Sequence, residues 1–187
     1  MIWAATGIAL VALLAVLLVD SRKTATAPAA TAGLHGSSSV ANAPVGAAIG
    51  DRAPDFTLRD LHGKQVRLQG FLGKPVMLHF WAVDCTYCRA EQPDYIQAIK
   101  DLGAHAPTIL AVDAWGESTG YVAPYVTHTH LPGIVLIDPP HTVFDSLYKG
   151  QGTPTTVYID KQGVIRQTVI GPETHDQIMA NARSIGA

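Results

Sequence analysis

The chain has 187 residues, enough for one ordinary domain of about 100 to 150 residues plus an appendage, but not for a second enzymatic domain. Its 13 Lys and Arg residues nearly balance 15 Asp and Glu residues and form no basic cluster, so nucleic acid is not an expected partner. The only two cysteines, Cys85 and Cys88, exclude a disulfide-dense scaffold and leave either a local redox pair or half of a metal site.

An apolar run opens the sequence and extends from Ile2 to Val19. Its length fits the roughly 17 to 25 residues that span a bilayer as a helix, and it exceeds the roughly 7 to 15 residues of a signal-peptide core. We therefore predict a transmembrane anchor over residues 1–23. The small residues Ala30-Thr31-Ala32 resemble a cleavage site, which keeps a cleaved signal segment open as an alternative.

The next stretch, residues 24–49, consists largely of Ala, Thr, Ser, Gly and Pro. Such a composition cannot bury a core, so we predict a flexible linker that tethers a folded domain of residues 50–187. Arg22 and Lys23 follow the apolar run and no basic residue precedes it. By the positive-inside rule alone, the domain would lie in the cytoplasm.

Strand and helix signals alternate through the domain. A hairpin is predicted where two short apolar stretches, around Phe56–Leu58 and Val66–Leu68, flank a turn sequence. Further strands are predicted over residues 76–81, 108–114, 134–137, 155–159 and 164–170, and helices over residues 89–102, 118–127, 142–148 and 174–185. Ile96, Ile99 and Leu102 are predicted to form the apolar face of the first helix. The sum is an α/β domain whose mixed sheet combines parallel crossovers with a terminal hairpin.

Cys85 and Cys88 follow directly on a predicted buried strand and precede the first helix. A sulfur at a helix N-terminus meets unpaired backbone N–H groups and the positive end of the helix dipole, and thiol pKa values in such motifs fall to roughly 3.5 to 7.5. We therefore predict a redox-active disulfide in which Cys85 is the exposed nucleophile and Cys88, one turn inward, is the buried resolving thiol.

Other roles for the cysteine pair fit less well. A structural zinc site needs four ligands, and the sequence has no second cysteine pair. Haem attachment requires His directly after the second cysteine, where Arg89 stands. A purely structural disulfide would close a very small loop and stabilise the fold little. No cofactor and no resident metal are therefore expected.

The segment LHFWAVDCTYCRAEQP resembles the active-site segment of the thioredoxin superfamily. With GDRAPDFTLRDLHGKQVRL before it and GTPTTVYIDKQGVI after it, the chain from Gly50 to its end resembles the TlpA/ResA branch. The resemblance implies a thioredoxin-like fold, a central sheet flanked by helices with an added N-terminal β-hairpin. It also implies a membrane-anchored thiol-disulfide oxidoreductase, in most cases a reductant that keeps cysteines of exported proteins, such as apocytochromes c or copper-site proteins, in the thiol form.

The same resemblance assigns roles to residues of the site. It makes Cys85 the attacking and Cys88 the resolving thiol, and it makes Trp81 the aromatic residue that shapes the site. Pro154 is expected to be the cis-proline of the facing loop, where a cis peptide bond exposes the backbone of Thr153 to a bound peptide. An ordinary trans proline is the alternative.

Three further residues bear on the chemistry. Glu91 stands where ResA-like proteins carry an acidic residue near the active-site cavity, and it either handles protons or is a plain surface carboxylate. His79 departs from the Asp or Asn that usually lies below the cysteines, and it is either a proton acceptor for Cys88 or a core histidine. Asp84 replaces the aromatic residue of many relatives, and its charge is expected to disfavour a Cys85 thiolate.

The expected partners are thiols or disulfides of exported proteins and a membrane electron donor, because an exported thiol has no cytosolic pool to recharge it. This chemistry, against the positive-inside rule, places the domain of a single-pass protein on the periplasmic or extracytoplasmic side of the cell membrane. One alternative is an exported disulfide oxidase or isomerase. Another is a copper-binding metallochaperone module in which His128 or His130 joins the cysteine pair. Peroxidase activity is not expected, because the Pro-x-x-x-Thr-x-x-Cys arrangement is absent.

Overall fold

A seven-stranded mixed sheet lies at the centre of the computed structural model, which describes residues 43–187. In chain order the strands are β1 (Thr57–Asp60), β2 (Gln65–Arg67), β3 (Val76–Trp81), β4 (Thr108–Asp113), β5 (Ile134–Ile137), β6 (Thr155–Ile159) and β7 (Ile165–Ile170). Their spatial order is β2-β1-β5-β4-β3-β6-β7, with β3, β4 and β5 parallel and the other pairs antiparallel. The predicted α/β fold with an added N-terminal hairpin, β1–β2, is confirmed.

Strand β3 is the central strand of the site, and all six of its residues are buried. Alternate side chains face opposite sides of the sheet, as the pleat requires. Met77 and Trp81 pack in the cluster that includes α-helical residues such as Tyr95, whereas Leu78 and Phe80 pack in the cluster on the other face. The strand therefore ends inside the domain, and the residues that follow it start from a fixed position.

Three α-helices and a π-helical turn pack on the sheet: α1 (Thr86–Leu102), α2 (Thr119–Thr129), α3 (His175–Ser184) and the turn Thr142–Leu147. Helix α1 begins three residues before the predicted start, because Cys85 caps its first turn with its own sulfur atom. Of the three residues predicted for the apolar face, Leu102 is buried, while Ile96 and Ile99 are partly buried and pack against the core. The buried face of α1 consists of Cys88, Glu91, Tyr95, Ala98 and Leu102.

The two ends of β3 lie at opposite ends of the domain. At its start, Val76 pairs with Ile159, next to the β6–β7 turn. The described chain begins at this same end, where Arg52 bridges to Val45 and to Val164. The cysteine pair follows the other end of β3, which lies about 20 Å away for a six-residue strand at 3.3 Å per residue.

The predicted anchor, residues 1–23, and most of the predicted linker lie outside the described residues. Within residues 43–187, no helix combines the length and the apolar character that crossing a bilayer requires.

Candidate active site

Cys85 and Cys88 lie between the buried end of β3 and the first turn of α1, and they are joined by a disulfide. Their Cα atoms are 5.2 Å apart. Cys85 is the N-cap residue of α1, and its Sγ atom accepts a hydrogen bond of 3.1 Å from the backbone N–H of Cys88. After reduction, a thiolate at Cys85 would face the same N–H group and the positive end of the helix dipole, which is the arrangement that stabilises a thiolate.

Both cysteines are more enclosed than the sequence suggested. The exposed fraction is 4% for Cys85 and 8% for Cys88, so the prediction of an exposed Cys85 beside a buried Cys88 was wrong for the disulfide form. The facing loop contributes to the cover of Cys85, whose Sγ atom lies 3.4 Å from the carbonyl oxygen of Thr153. Access of a substrate to Cys85 therefore depends on this loop.

The loop that faces the disulfide carries a cis peptide bond between Thr153 and Pro154, as predicted. It leads directly into β6, and the pairing of Thr155 with Phe80 of β3 brings it to the cysteine end of the sheet. The Thr155 hydroxyl donates a hydrogen bond of 2.6 Å to the carbonyl oxygen of Gly152 and so ties the loop to the start of the strand.

Trp81 forms a wall behind Cys88. It is buried at the end of β3 and stacks on Tyr125 of α2, with ring centroids 5.7 Å apart. The Tyr125 hydroxyl donates a hydrogen bond of 3.0 Å to Gln92 of α1. These side chains and Cys88 line a small cavity of about 10 Å³, roughly the space of one water molecule.

Glu91 lines the same cavity as Cys88. Its exposed fraction is 4%, so the alternative of a surface carboxylate is wrong. Among residues 43–187, no side chain donates a hydrogen bond to either of its carboxyl oxygens, and only the backbone N–H of Glu173 lies close enough to lower its pKa in part. Burial, followed by the negative charge of Glu173, raises the pKa of Glu91 to about 8. Glu91 therefore holds a proton at neutral pH, within reach of the cavity that Cys88 lines.

Glu173, which precedes α3, is a second buried carboxyl group in this region. It accepts a hydrogen bond of 2.9 Å from the Tyr158 hydroxyl and one of 2.7 Å from the Asn181 side-chain amide. Burial raises its pKa, while both donors favour the charged form. Sequence reasoning missed Glu173, because its approach to α1 depends on how α3 packs.

His79 lies in β3 on the same face as Trp81 and is buried. Its ring lies against Tyr95, with centroids 4.5 Å apart, and its Nδ1 atom is 3.0 Å from the Thr156 hydroxyl oxygen. Burial lowers the pKa of His79 to about 3. The imidazole is therefore neutral at physiological pH, and it has little affinity for a proton from Cys88.

The Asp84 carboxylate has two hydrogen-bond partners. Its carboxylate accepts hydrogen bonds of 2.8 Å from Arg89 of α1 and 2.9 Å from the Tyr121 hydroxyl of α2. Arg89 and Asp84 are both about half exposed, so this ion pair contributes little to stability. It does place a positive charge beside the carboxylate that was expected to disfavour a Cys85 thiolate.

Two more acidic residues that the sequence did not single out reach the cysteine end of the sheet. Asp113 ends β4 beside Trp81, and Glu117 follows in the next loop. The position of Asp113 at the end of a predicted strand could have indicated this, because the carboxyl ends of parallel strands meet at one edge of a sheet.

The copper alternative gains no support from the described part of the chain. Within residues 43–187, no group of three or more His, Cys, Asp or Glu side chains is arranged to hold a metal ion. His128 lies in the last turn of α2 and His130 is its C-cap residue.

Comparisons with known proteins agree with this geometry. The model of the AhpC/TSA family matches residues 49–168. The thiol-disulfide oxidoreductase ResA of Geobacillus kaustophilus is 34% identical over 138 residues, which are 74% of this chain and 78% of that protein. The exposed lipoprotein thioredoxin of Streptococcus pneumoniae shares 29% identity at a TM-score of 0.60, over 70% of this chain and 99% of that chain. A thiol:disulfide interchange protein of Chlorobium tepidum shares 25% identity at a TM-score of 0.60, over 74% of this chain and 97% of that chain.

The region matched by the family model spans both cysteines and the facing loop, and the match to ResA covers 78% of the relative's own length. The chain therefore belongs to the AhpC/TSA family and, within it, to the thiol-disulfide oxidoreductases that are similar to ResA.

Proposed function

We propose that this chain is an exported, membrane-tethered thiol-disulfide reductase in which Cys85 attacks and Cys88 resolves. The observation that carries the proposal is the position of Cys85, which caps α1, is bonded to Cys88 and lies 3.4 Å from the carbonyl oxygen of Thr153. One sulfur atom thus has both an amide that stabilises a thiolate and a facing peptide loop to which an extended substrate can bind.

The reaction starts from the reduced pair. The Cys85 thiolate attacks one sulfur of a substrate disulfide, forms a mixed disulfide and releases the other substrate sulfur as a thiolate. Cys88 then loses its proton and attacks the Cys85 sulfur, which releases the second substrate thiolate and forms the Cys85–Cys88 disulfide. The substrate gains two electrons and the protein loses two, so a donor must reduce the pair before the next cycle.

We assign the proton of Cys88 to Glu91 in this scheme, and the acceptor is the ionised form of Glu91, which is the minor form at neutral pH because the pKa is about 8. Both residues line the same cavity, and the Glu91 pKa of about 8 is close to the value of about 8.5 for an ordinary thiol. Transfer between groups of similar pKa has a small free-energy cost, so Glu91 suits both the removal and the return of this proton. His79 lines the same cavity, but with a pKa of about 3 it is a poor acceptor.

The proposed location determines the expected substrates and electron donor. We propose exported proteins as substrates, such as the apocytochromes c or copper-site proteins that the TlpA/ResA resemblance implies. The electron donor is then a membrane protein, because the exported side has no cytosolic thiol pool.

The direction of electron flow is tested by the reduction potential. The full-length protein in detergent is equilibrated with glutathione or dithiothreitol buffers, and the disulfide fraction is measured by thiol alkylation. A potential near the value of about −270 mV for thioredoxin supports the reductase, whereas one near about −120 mV supports the oxidase alternative and overturns the proposal.

The roles of the two cysteines are tested by trapping. The Cys88→Ser variant should accumulate mixed disulfides on Cys85, and mass spectrometry of these adducts identifies the substrates. Accumulation on Cys88 in the Cys85→Ser variant, with none in Cys88→Ser, would reverse the roles. Alkaline phosphatase fused to the C-terminus tests the placement, because the fusion is active only when exported.

A further inference from the structure

The peptide groups just before Cys85 are held from both sides. The backbone N–H of Val83 donates a hydrogen bond of 2.7 Å to Oε2 of Glu117. The carbonyl oxygen of the same residue accepts a hydrogen bond of 2.7 Å from Nε of Arg89. The Arg89 guanidinium is charged, and hydrogen bonds to charged groups are about twice as strong as neutral ones. The turn from β3 into α1 is therefore fixed by two side chains, since Glu117 holds the N–H group of Val83 and Arg89 holds its carbonyl oxygen.

Glu117 is itself fixed in place. Its backbone N–H donates a hydrogen bond of 2.6 Å to the carboxyl group of Asp113, which is buried at the end of β4. The other oxygen of Asp113 accepts a bond of 3.3 Å from the backbone N–H of Trp115. The backbone N–H of Ala114 donates a hydrogen bond of 2.8 Å to the carbonyl oxygen of Trp81. The loop after β4 is thus tied to the end of β3.

Arg89 connects this arrangement to the residue beside the nucleophile. While its Nε atom holds the Val83 carbonyl, its Nη2 atom donates to Asp84 at 2.8 Å. The Tyr121 hydroxyl donates to the other oxygen of Asp84 at 2.9 Å. These two contacts hold the Asp84 carboxylate, which is about half exposed. The charge next in sequence to Cys85 is thereby paired with a cation.

We propose that Glu117 and Arg89 are positioning residues that set the reactivity of Cys85 by fixing the peptide group of Val83 and by pairing the charge of Asp84. The inference rests on the proposed role of Cys85 as the attacking thiol. Stabilisation of a thiolate by a helix N-terminus depends on the distances between the sulfur atom and the backbone amides. Reactive groups generally need to be held to within about 0.5 Å of their working position. Loss of either contact frees the turn that sets this distance.

The test for Glu117 compares two variants of the reduced full-length protein that also carry Cys88→Ser. Alkylation of Cys85 is measured against pH, which gives the midpoint of thiolate formation and the limiting rate. In Glu117→Ala the midpoint should rise by about one pH unit. Below the midpoint, this rise corresponds to an alkylation rate of Cys85 about tenfold lower than in the parent. Glu117→Gln keeps an oxygen acceptor for the N–H of Val83, so its midpoint should return close to that of the parent. Its alkylation rate below the midpoint should then lie within about twofold of the parent rate.

The direction of the change separates positioning from charge. If Glu117 acted through its negative charge alone, both substitutions would remove that charge and lower the midpoint. A lowered midpoint in both variants, or an unchanged midpoint in Glu117→Ala, overturns the inference. Circular dichroism checks that each variant is folded, and Arg89→Ala supplies the test should Glu117→Ala not fold.

The test for Arg89 is a double-mutant cycle with Asp84. Arg89→Ala should raise the midpoint of thiolate formation, because it leaves the Asp84 carboxylate without its cation. In an Asp84→Asn background the rise should be smaller, because that carboxylate is no longer present. Equal midpoints for Arg89→Ala and the parent overturn this part. Failure of the proposed function looks different, because the parent protein itself would then not exchange disulfides through Cys85.

Discussion

The hydroxyl of Tyr158 donates a hydrogen bond of 2.9 Å to the carboxylate of Glu173 inside the domain. Glu173 has a second donor in Asn181, whereas neither carboxyl oxygen of Glu91 has a side-chain donor within residues 43–187. A buried carboxyl group with donors keeps its charge more readily than one without them. Burial raises the pKa of both carboxyl groups, but the two donors of Glu173 oppose this effect, and the carboxyl group without them is the one that lines the cavity of Cys88.

Tyr158→Phe should destabilise the protein by about 1 to 3 kcal/mol at alkaline pH, because it leaves a buried carboxylate short of a donor. The loss should be smaller in acid, where Glu173 is protonated and needs the donor less. Urea unfolding at several pH values measures both. Tyr148→Phe is the matched control, because the Tyr148 hydroxyl donates to the neutral carbonyl oxygen of Pro54 at 2.9 Å. If the two variants showed the same pH dependence, Glu173 would not be the charged member of the pair.

Glu91→Gln should stabilise the protein at alkaline pH relative to acid. The folded-state pKa of Glu91 is raised to about 8 from 4.5, so its contribution to stability is fully present below 4.5 and is lost as the pH rises through 8. Glutamine stays neutral, and the stability difference between variant and parent should change by about 3 to 5 kcal/mol across this window. Urea unfolding against pH measures the difference.

His79→Asn should leave the pH dependence of disulfide exchange unchanged at neutral pH, because the neutral imidazole does not titrate there. The contribution of His79 to stability depends on pH with the opposite sign to that of Glu91. The pKa of His79 is lowered from 6.5 to about 3, so its contribution is present above 6.5 and is lost as the pH falls toward 3. The deficit of the variant at neutral pH should therefore shrink in acid.

His175→Asn is the control for this prediction. His175 is partly exposed, and hydrogen bonds to Asp176 and Asp101 raise its pKa. Its contribution is therefore present below 6.5 and is lost as the pH rises, the reverse of His79. Thermal unfolding of the two variants against pH should give slopes of opposite sign, and equal slopes would show that His79 is not buried in its neutral form.

Strands could be predicted closely where burial is complete or nearly so. The observed bounds of β3, β5 and β6 equal the predicted ones, and Pro75 and Gly133 mark where β3 and β5 start. Helix α1 was predicted to start late, because a cysteine sulfur is not a recognised capping group and only the fold shows Cys85 in that position.

The polar surroundings of the site were predicted less well than the cysteines. Glu91 stands three positions after Cys88 and four before Tyr95, so helical periodicity could have placed it on the buried face. Glu173 and Glu117 had no comparable signal, because they approach the site through packing between elements distant in sequence. Local patterns predict which face of an element is buried, but not which side chain of another element meets it.

Gly133 is the position where the fold most strongly requires a glycine. Its φ is 103°, and an added Cβ would lie 2.5 Å from Cγ2 and 2.9 Å from the carbonyl oxygen of Ile109 in β4. Because neither the backbone conformation nor the neighbouring strand can accommodate a methyl group, Gly133→Ala should cost about 2 to 4 kcal/mol. Gly120→Ala is the matched control, since Gly120 lies in α2 with nothing within 4 Å, and it should gain up to about 1 kcal/mol. Urea unfolding of both variants measures the contrast, and a Gly133→Ala protein as stable as the parent would show that β4 and β5 do not approach as closely as described.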